Sequence, residues 1–143
     1  MSNARISRLR GIALGGPDMT GAAAWFADAW GLTKVAGAAG AAYFRGSGPE
    51  HHILALHDRD RRGIAYLSFA AQDEAALKAL HLKLAGRGVR IAAPIRALDT
   101  PGGGTGFDIV DPDHGRLRIS CGVELYPDAP DRADAPRKIT HIV

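Results

Sequence analysis

The chain is 143 residues long and 46% hydrophobic, enough to bury the core of one domain and not comfortably two. The net charge of +3 is spread from Arg5 to Arg137, and the only dense basic group, Arg59, Arg61 and Arg62, is interleaved with Asp58 and Asp60, so no nucleic-acid groove is expected. Cys121 is the single cysteine, which excludes an intrachain disulfide, and neither an apolar signal core nor a membrane-length window is present; the expectation is a soluble, cytoplasmic protein.

In chain order, residues 1–8 read as a leader and "LRGIALGG" as a short strand ending at paired glycines. A helix follows in "PDMTGAAAWFADAWGL". Asp18 is its N-cap, Ala22, Phe26 and Trp30 recur every four residues, and Gly31 is the stop. Three strand candidates come next: "TKVAG", "AAYFRG" and "HHILALHD". The pattern then repeats. "GIAYLSFAA" reads as a strand, Asp73 as a second N-cap, and Leu77, Leu80 and Leu84 as the apolar face of a second helix. "VRIAAPI", "GTGFDIV" and "GRLRISCGVEL" are three further strands. Each N-cap aspartate precedes a glycine by the same 13 residues, so the chain reads as two tandem βαβββ units, about 9–58 and 63–125. Residues 126–136, with three prolines and three acidic residues, have the composition of an exposed linker. Residues 137–143 end on "ITHIV", which aligns with "LRGIA" as the first strand of a third unit, with His141 opposite Gly11, and predicts the start of a second domain.

The stretches "GIALGGPDMTGAAAWFADAWGL", "YLSFAAQDEAALKAL", "FDIVDPDHGRLRISCGVEL" and the terminal "THIV" resemble the vicinal oxygen chelate superfamily, which includes glyoxalases, bleomycin-resistance proteins and extradiol dioxygenases. Among these the chain looks most like the N-terminal domain of a two-domain type I extradiol dioxygenase. The resemblance spans residues 9–125. It implies an α+β fold in which the βαβββ units form a cup-shaped mixed sheet with the helices outside. It also implies an Fe(II), or less often Mn(II), site made by two histidines and a glutamate in the second domain.

The family's three ligand positions fall here on Gly11, Tyr66 and Arg118. Glycine has no ligand, neutral tyrosine is a poor one and arginine is a permanent cation, so this cup is expected to hold no metal and to do no catalysis. Strand alternation puts Leu117, Ile119, Cys121 and Val123 on one face and Arg118 and Ser120 on the other, pointing Arg118 into the cup. His141 matches the first ligand position of a catalytic second domain, and is a metal ligand only in a continued chain.

Other motifs have plainer readings. Adjacent strand residues point to opposite faces, so His51 and His52 are not expected to chelate one ion together. His57, His81 and His114 read as solvated. "PGGGTGF" lacks the Lys and Ser or Thr of a phosphate loop and precedes a strand, so it reads as a turn. Trp25 and Trp30 read as packing residues, Cys121 as an inert buried thiol, and "DPDHG" as a turn.

Two functions follow. In the first, the chain is the metal-free assembly domain of an extradiol dioxygenase, partnered by the C-terminal catalytic domain and forming a homo-oligomer. In the second it is a stand-alone binding or sequestering protein of the bleomycin-resistance type, with Tyr66, Ser68, Arg118 and Ser120 lining its cup.

Overall fold

The computed structural model describes residues 4–126 and 132–142. Eight strands and two helices are present among them: β1 (Ile6–Gly16), α1 (Met19–Asp28), β2 (Thr33–Ala38), β3 (Ala41–Arg45), β4 (Leu54–Asp58), β5 (Gly63–Ala71), α2 (Glu74–Gly86), β6 (Arg90–Ala97), β7 (Thr105–Val110) and β8 (Arg116–Cys121). The middle of the expected 126–136 linker, residues 127–131, lies outside the described residues, as does Val143.

Two compact units divide the chain. One comprises Arg10–Ala65 with the described residues from Leu125 onward, and the other Tyr66–Glu124 with the described residues up to Leu9. In the first, β1 pairs parallel with β4, β4 antiparallel with β3, and β3 antiparallel with β2. In the second, β5 pairs parallel with β8, β8 antiparallel with β7, and β7 antiparallel with β6. The pairing rule is the same in both, so the repeat read from the N-cap spacing is a repeat of topology. The fold is α+β, built from tandem βαβββ units.

Both helices start where the sequence predicts. Asp18 accepts from the Gly21 amide and Asp73 from the Ala76 amide at 2.7 Å, each satisfying a helix donor that would otherwise lack a partner. The two helices bury different amounts of surface. Leu77 and Leu80 of α2 are buried against Phe107, Ile109, Ile119 and Cys121. No residue of α1 is fully buried, although Ala22, Ala23 and Phe26 pack on Phe44, Leu54 and Leu56. Trp25 and Trp30, expected as packing residues, are 52% and 49% exposed; they meet each other at a tilt and each meets Phe26 edge-to-face at the helix end. Their periodicity places them at the border of the apolar stripe, where a ring shields its neighbour without entering the core.

Several boundaries differ from the sequence expectation. β1 starts at Ile6, inside the expected leader, and there Ser7 Oγ donates to the Ala70 carbonyl at 2.9 Å. β4 starts at Leu54, so His51 and His52 lie outside a strand. Residues 139–142, read as a strand opening, form none. Their segment is held by its backbone: the Ser47 amide donates to the Pro136 carbonyl at 3.0 Å and the Gly48 amide to the Arg137 carbonyl at 3.1 Å, while Ile139 packs on the α1 core. Residues 125 and 126 are tied to the same loop through the Glu50–Leu125 bridge and the Tyr126 amide bond to the Pro49 carbonyl.

This docking depends on the bare α-carbon of Gly48, where an added Cβ would sit 2.5 Å from the Arg137 carbonyl oxygen. Gly48→Ala is therefore expected to release the C-terminal segment. Amide exchange at Ser47 and residue 48 should accelerate to the rate of exposed loop amides. Gly63→Ala, at a position with nothing within 4 Å, should leave both protected.

Candidate functional site

The sheet face of β5–β8 opposite α2 is organised around one carboxylate. Asp108, on β7, is fully buried, and β-pairing sets it directly beside Arg118 on β8. Arg118 Nε donates to Oδ1 at 2.9 Å and its Nη2 to Oδ2 at 3.2 Å. Arg116 lies two residues earlier on the same face of β8 and donates to Oδ2 from Nε at 2.9 Å and from Nη2 at 2.7 Å. Arg96, on β6, adds an Nη2 bond to Oδ2 at 3.2 Å. One carboxylate thus receives five charge-assisted contacts from three guanidiniums.

Tyr66, on β5, completes the arrangement, with its ring 4.3 Å below the Arg118 guanidinium carbon, a cation–π stack. Ser68 is the register partner of Arg118, and Ser120 is buried on the same face of β8. The structure therefore brings Tyr66, Ser68, Arg118 and Ser120 onto one sheet face, as strand alternation requires.

Burial alone would raise the Asp108 pKa. Hydrogen bonds from Arg118 and Arg116, with the charges of Arg118 and Arg96, outweigh it and hold the carboxyl below the ordinary aspartate range. For Arg118, burial disfavours the cation, but the Asp108 hydrogen bond and the proximity of Tyr66, Asp108 and Asp99 raise its pKa further. Both groups are charged at neutral pH.

The other unit places Gly11 on β1. An added Cβ there would lie 2.5 Å from the Ile53 carbonyl oxygen, so the position admits no side chain without moving backbone. Close by in sequence, Arg10 and Glu50 form a buried pair at 2.8 Å. His51 stacks on Tyr126, whose ring also lies 3.9 Å from the Arg45 guanidinium carbon. His51 and His52 do meet, Nδ1 to Nδ1 at 2.9 Å, contrary to the expectation that they diverge. The expectation assumed strand alternation, and these residues sit in the bend before β4. His81 is half-buried edge-on to Phe107, and His57 is half-buried edge-on to Tyr43, so neither is the freely solvated group expected. His114 is exposed in a turn with φ of 64°. His141 is exposed, with Nδ1 2.9 Å from Thr140 Oγ1. Ile139 and Ile142 line an apolar cavity of about 470 Å³ with Leu14, Phe26, Trp30 and Leu54.

No family model and no curated protein matches the sequence. Solved structures do match. A Mn(II)-bound glyoxalase from Novosphingobium aromaticivorans superposes with a TM-score of 0.90 at 32% identity, covering 96% of this chain and 46% of that one. The chain has the vicinal oxygen chelate fold.

Two dioxygenases share it at lower identity. Homoprotocatechuate 2,3-dioxygenase from Brevibacterium fuscum matches with a TM-score of 0.78 at 17% identity over 87% of this chain and 39% of that one. The 2,3-dioxygenase LapB from Pseudomonas sp. KL28 gives 0.75 at 18% over 84% and 41%. The chain spans less than half the length of each.

In this vicinal oxygen chelate domain the residues at the expected ligand positions do not fit a metal ion. Gly11 is pressed on a neighbouring backbone, the Tyr66 ring faces a guanidinium, and Arg118 is bound to Asp108. A divalent cation near Arg118 would meet three guanidiniums, with the adjacent buried carboxylate of Asp108 already saturated. No group of three or more His, Cys, Asp or Glu able to hold a metal occurs among the described residues. No helix among them is long and apolar enough to cross a membrane.

Sequence reasoning missed Asp108, Arg96 and Arg116. A signal was present, since Asp108 interrupts the apolar run "GFDIV", and a carboxylate in such a strand needs cations from its neighbours.

A depressed folded-state pKa means that Asp108 contributes stability which is fully present above the unfolded value of about 3.9 and is lost as pH falls through the lower folded value. Asp108→Asn should destabilise the chain at pH 7 by about 3 kcal/mol, the scale for breaking a buried ion pair. Its urea-unfolding free energy should also fall less steeply than that of the native chain as pH drops below about 4.

Proposed function

We propose that the chain is the metal-free half of a two-domain vicinal oxygen chelate enzyme, an extradiol catechol dioxygenase whose metal sits in a C-terminal catalytic domain. The observation that carries this reading is the replacement of all three ligand positions, Gly11, Tyr66 and Arg118, together with the locking of Arg118 onto Asp108. The matched proteins are each more than twice as long as the aligned region, which supports a second domain. In this reading His141 is the first ligand of that domain's site. Its exposure, on a segment held through the carbonyls of residues 136 and 137 and the packing of Ile139, supports its availability to a following sheet. Fe(II) or Mn(II) is the expected ion, and the domain described here supplies packing area and subunit contacts in a homo-oligomer.

A second reading is favoured by one observation. The match at 32% identity is named a Mn(II)-bound glyoxalase, whereas the dioxygenases match at 17–18%. The whole protein would then isomerise a thiol adduct of a ketoaldehyde, with the same division of labour between domains. The stand-alone binding protein is disfavoured by the lengths of the matched chains.

Metal analysis and turnover separate these readings. The 143-residue chain, loaded anaerobically with Fe(II) or Mn(II) and desalted, should retain no stoichiometric metal. The gene product carrying the following domain should retain one ion per chain and convert catechols to yellow ring-fission products. Turnover of a hemithioacetal in place of catechol would select the glyoxalase reading. One tightly held ion in the 143-residue chain would refute both.

A further inference from the structure

The arginine cluster has a charge imbalance that its structural role does not use. Asp108 neutralises one of three guanidiniums, which leaves an excess of two positive charges at one place on the sheet. Asp99 is the other acidic group acting on Arg118, and it is exposed, so solvent and salt weaken its effect. The carboxylate is fully buried, whereas the Arg96 and Arg116 side chains are 33% and 43% exposed. What the cluster presents to solvent is therefore cationic donors alone.

Those donors are fixed in place. Arg116 spends Nε and Nη2 on Asp108, which leaves its Nη1 edge directed elsewhere, and Arg96 is held by Asp108 through Nη2 and by the Pro94 carbonyl through Nη1. A guanidinium pinned along one edge loses little further entropy when its other edge binds, which is the condition for a preorganised oxyanion site. The half-buried Ser68 hydroxyl and the Tyr66 ring flank Arg118 on the same face.

We propose that Arg96, Arg116 and Arg118 bind the carboxylate or phosphate group of a small anionic ligand, with Arg96 and Arg116 making the solvent-side contacts and Asp108 orienting all three. Planar bidentate donors suit either oxyanion. The site belongs to this domain alone and stands whether the whole protein is a dioxygenase or a glyoxalase.

Titration of the full 143-residue chain with inorganic phosphate and, separately, with benzoate, at low and constant chloride, tests this. The arginine Nε–H resonances report the site. Saturable binding of either anion is expected, and whichever binds identifies the head group. Arg96→Gln and Arg116→Gln should each weaken it by roughly tenfold or more, the scale of one lost charge-assisted hydrogen bond. Arg118 still neutralises Asp108 in both variants, so they should fold, and their melting temperatures check this. Arg116→Lys keeps the charge without the fork and should bind at an intermediate level. Arg61→Gln, an exposed arginine of the other compact unit, should bind like the native chain. Absence of saturable binding would overturn the proposal, as would an equal loss in Arg61→Gln.

Discussion

The buried carboxylate of Asp108 is the interaction on which the face of β5–β8 depends. A carboxylate without solvent is tolerated only when its lone pairs and charge are met, and here three guanidiniums meet them from β6 and β8. The demand fixes which residues can stand beside it. Arg118 must extend toward β7, which places its outer face over Tyr66, and the register that pairs Asp108 with Arg118 also sends Ile119 and Cys121 to the α2 side. The polar face and the apolar core are thus two results of one strand pairing.

This arrangement also sets which residues occupy the ligand positions expected from the sequence resemblance. The expected ligand position on β8, Arg118, carries a cation that is already engaged, and the expected one on β1, Gly11, has no room for a side chain. A single substitution at Arg118 would leave Asp108 facing two arginines and would not create a ligand at Gly11.

Much of the fold was legible in the sequence because its signals are local. The N-cap aspartates Asp18 and Asp73 and the period-two pattern of Leu117–Cys121 each act over a few residues, and each reappears in the structure. The equal glycine spacing does not mark equivalent stops, since Gly31 lies beyond α1 with a φ of 71° whereas Gly86 is the last residue of α2 and Gly88 takes the positive φ of 79°. The placement of Arg118 and Ser120 on a face with Tyr66 and Ser68 follows from alternation and was likewise readable. The unread features depend on distant partners. Asp108 joins Arg96 across 12 residues, Arg10 joins Glu50 across 40, and the loop at Gly48 receives the carbonyl of Arg137. The His51–His52 contact was misread because it depends on where β4 begins, a boundary set by pairing with β1 and β3 and not by local propensity. Residues 139–142 are not in a strand here: their β-branched residues favour an extended chain, but a strand forms only when an edge is offered.

Asp108 is held ionised by its arginines in spite of complete burial. NMR of the Asp108 side-chain carboxyl carbon as a function of pH reads its protonation state. A titration midpoint below the ordinary aspartate value of about 3.9 is expected, or no titration before the domain unfolds in acid. A midpoint above that value would mean that burial outweighs the arginines and that the cluster does not hold the charge.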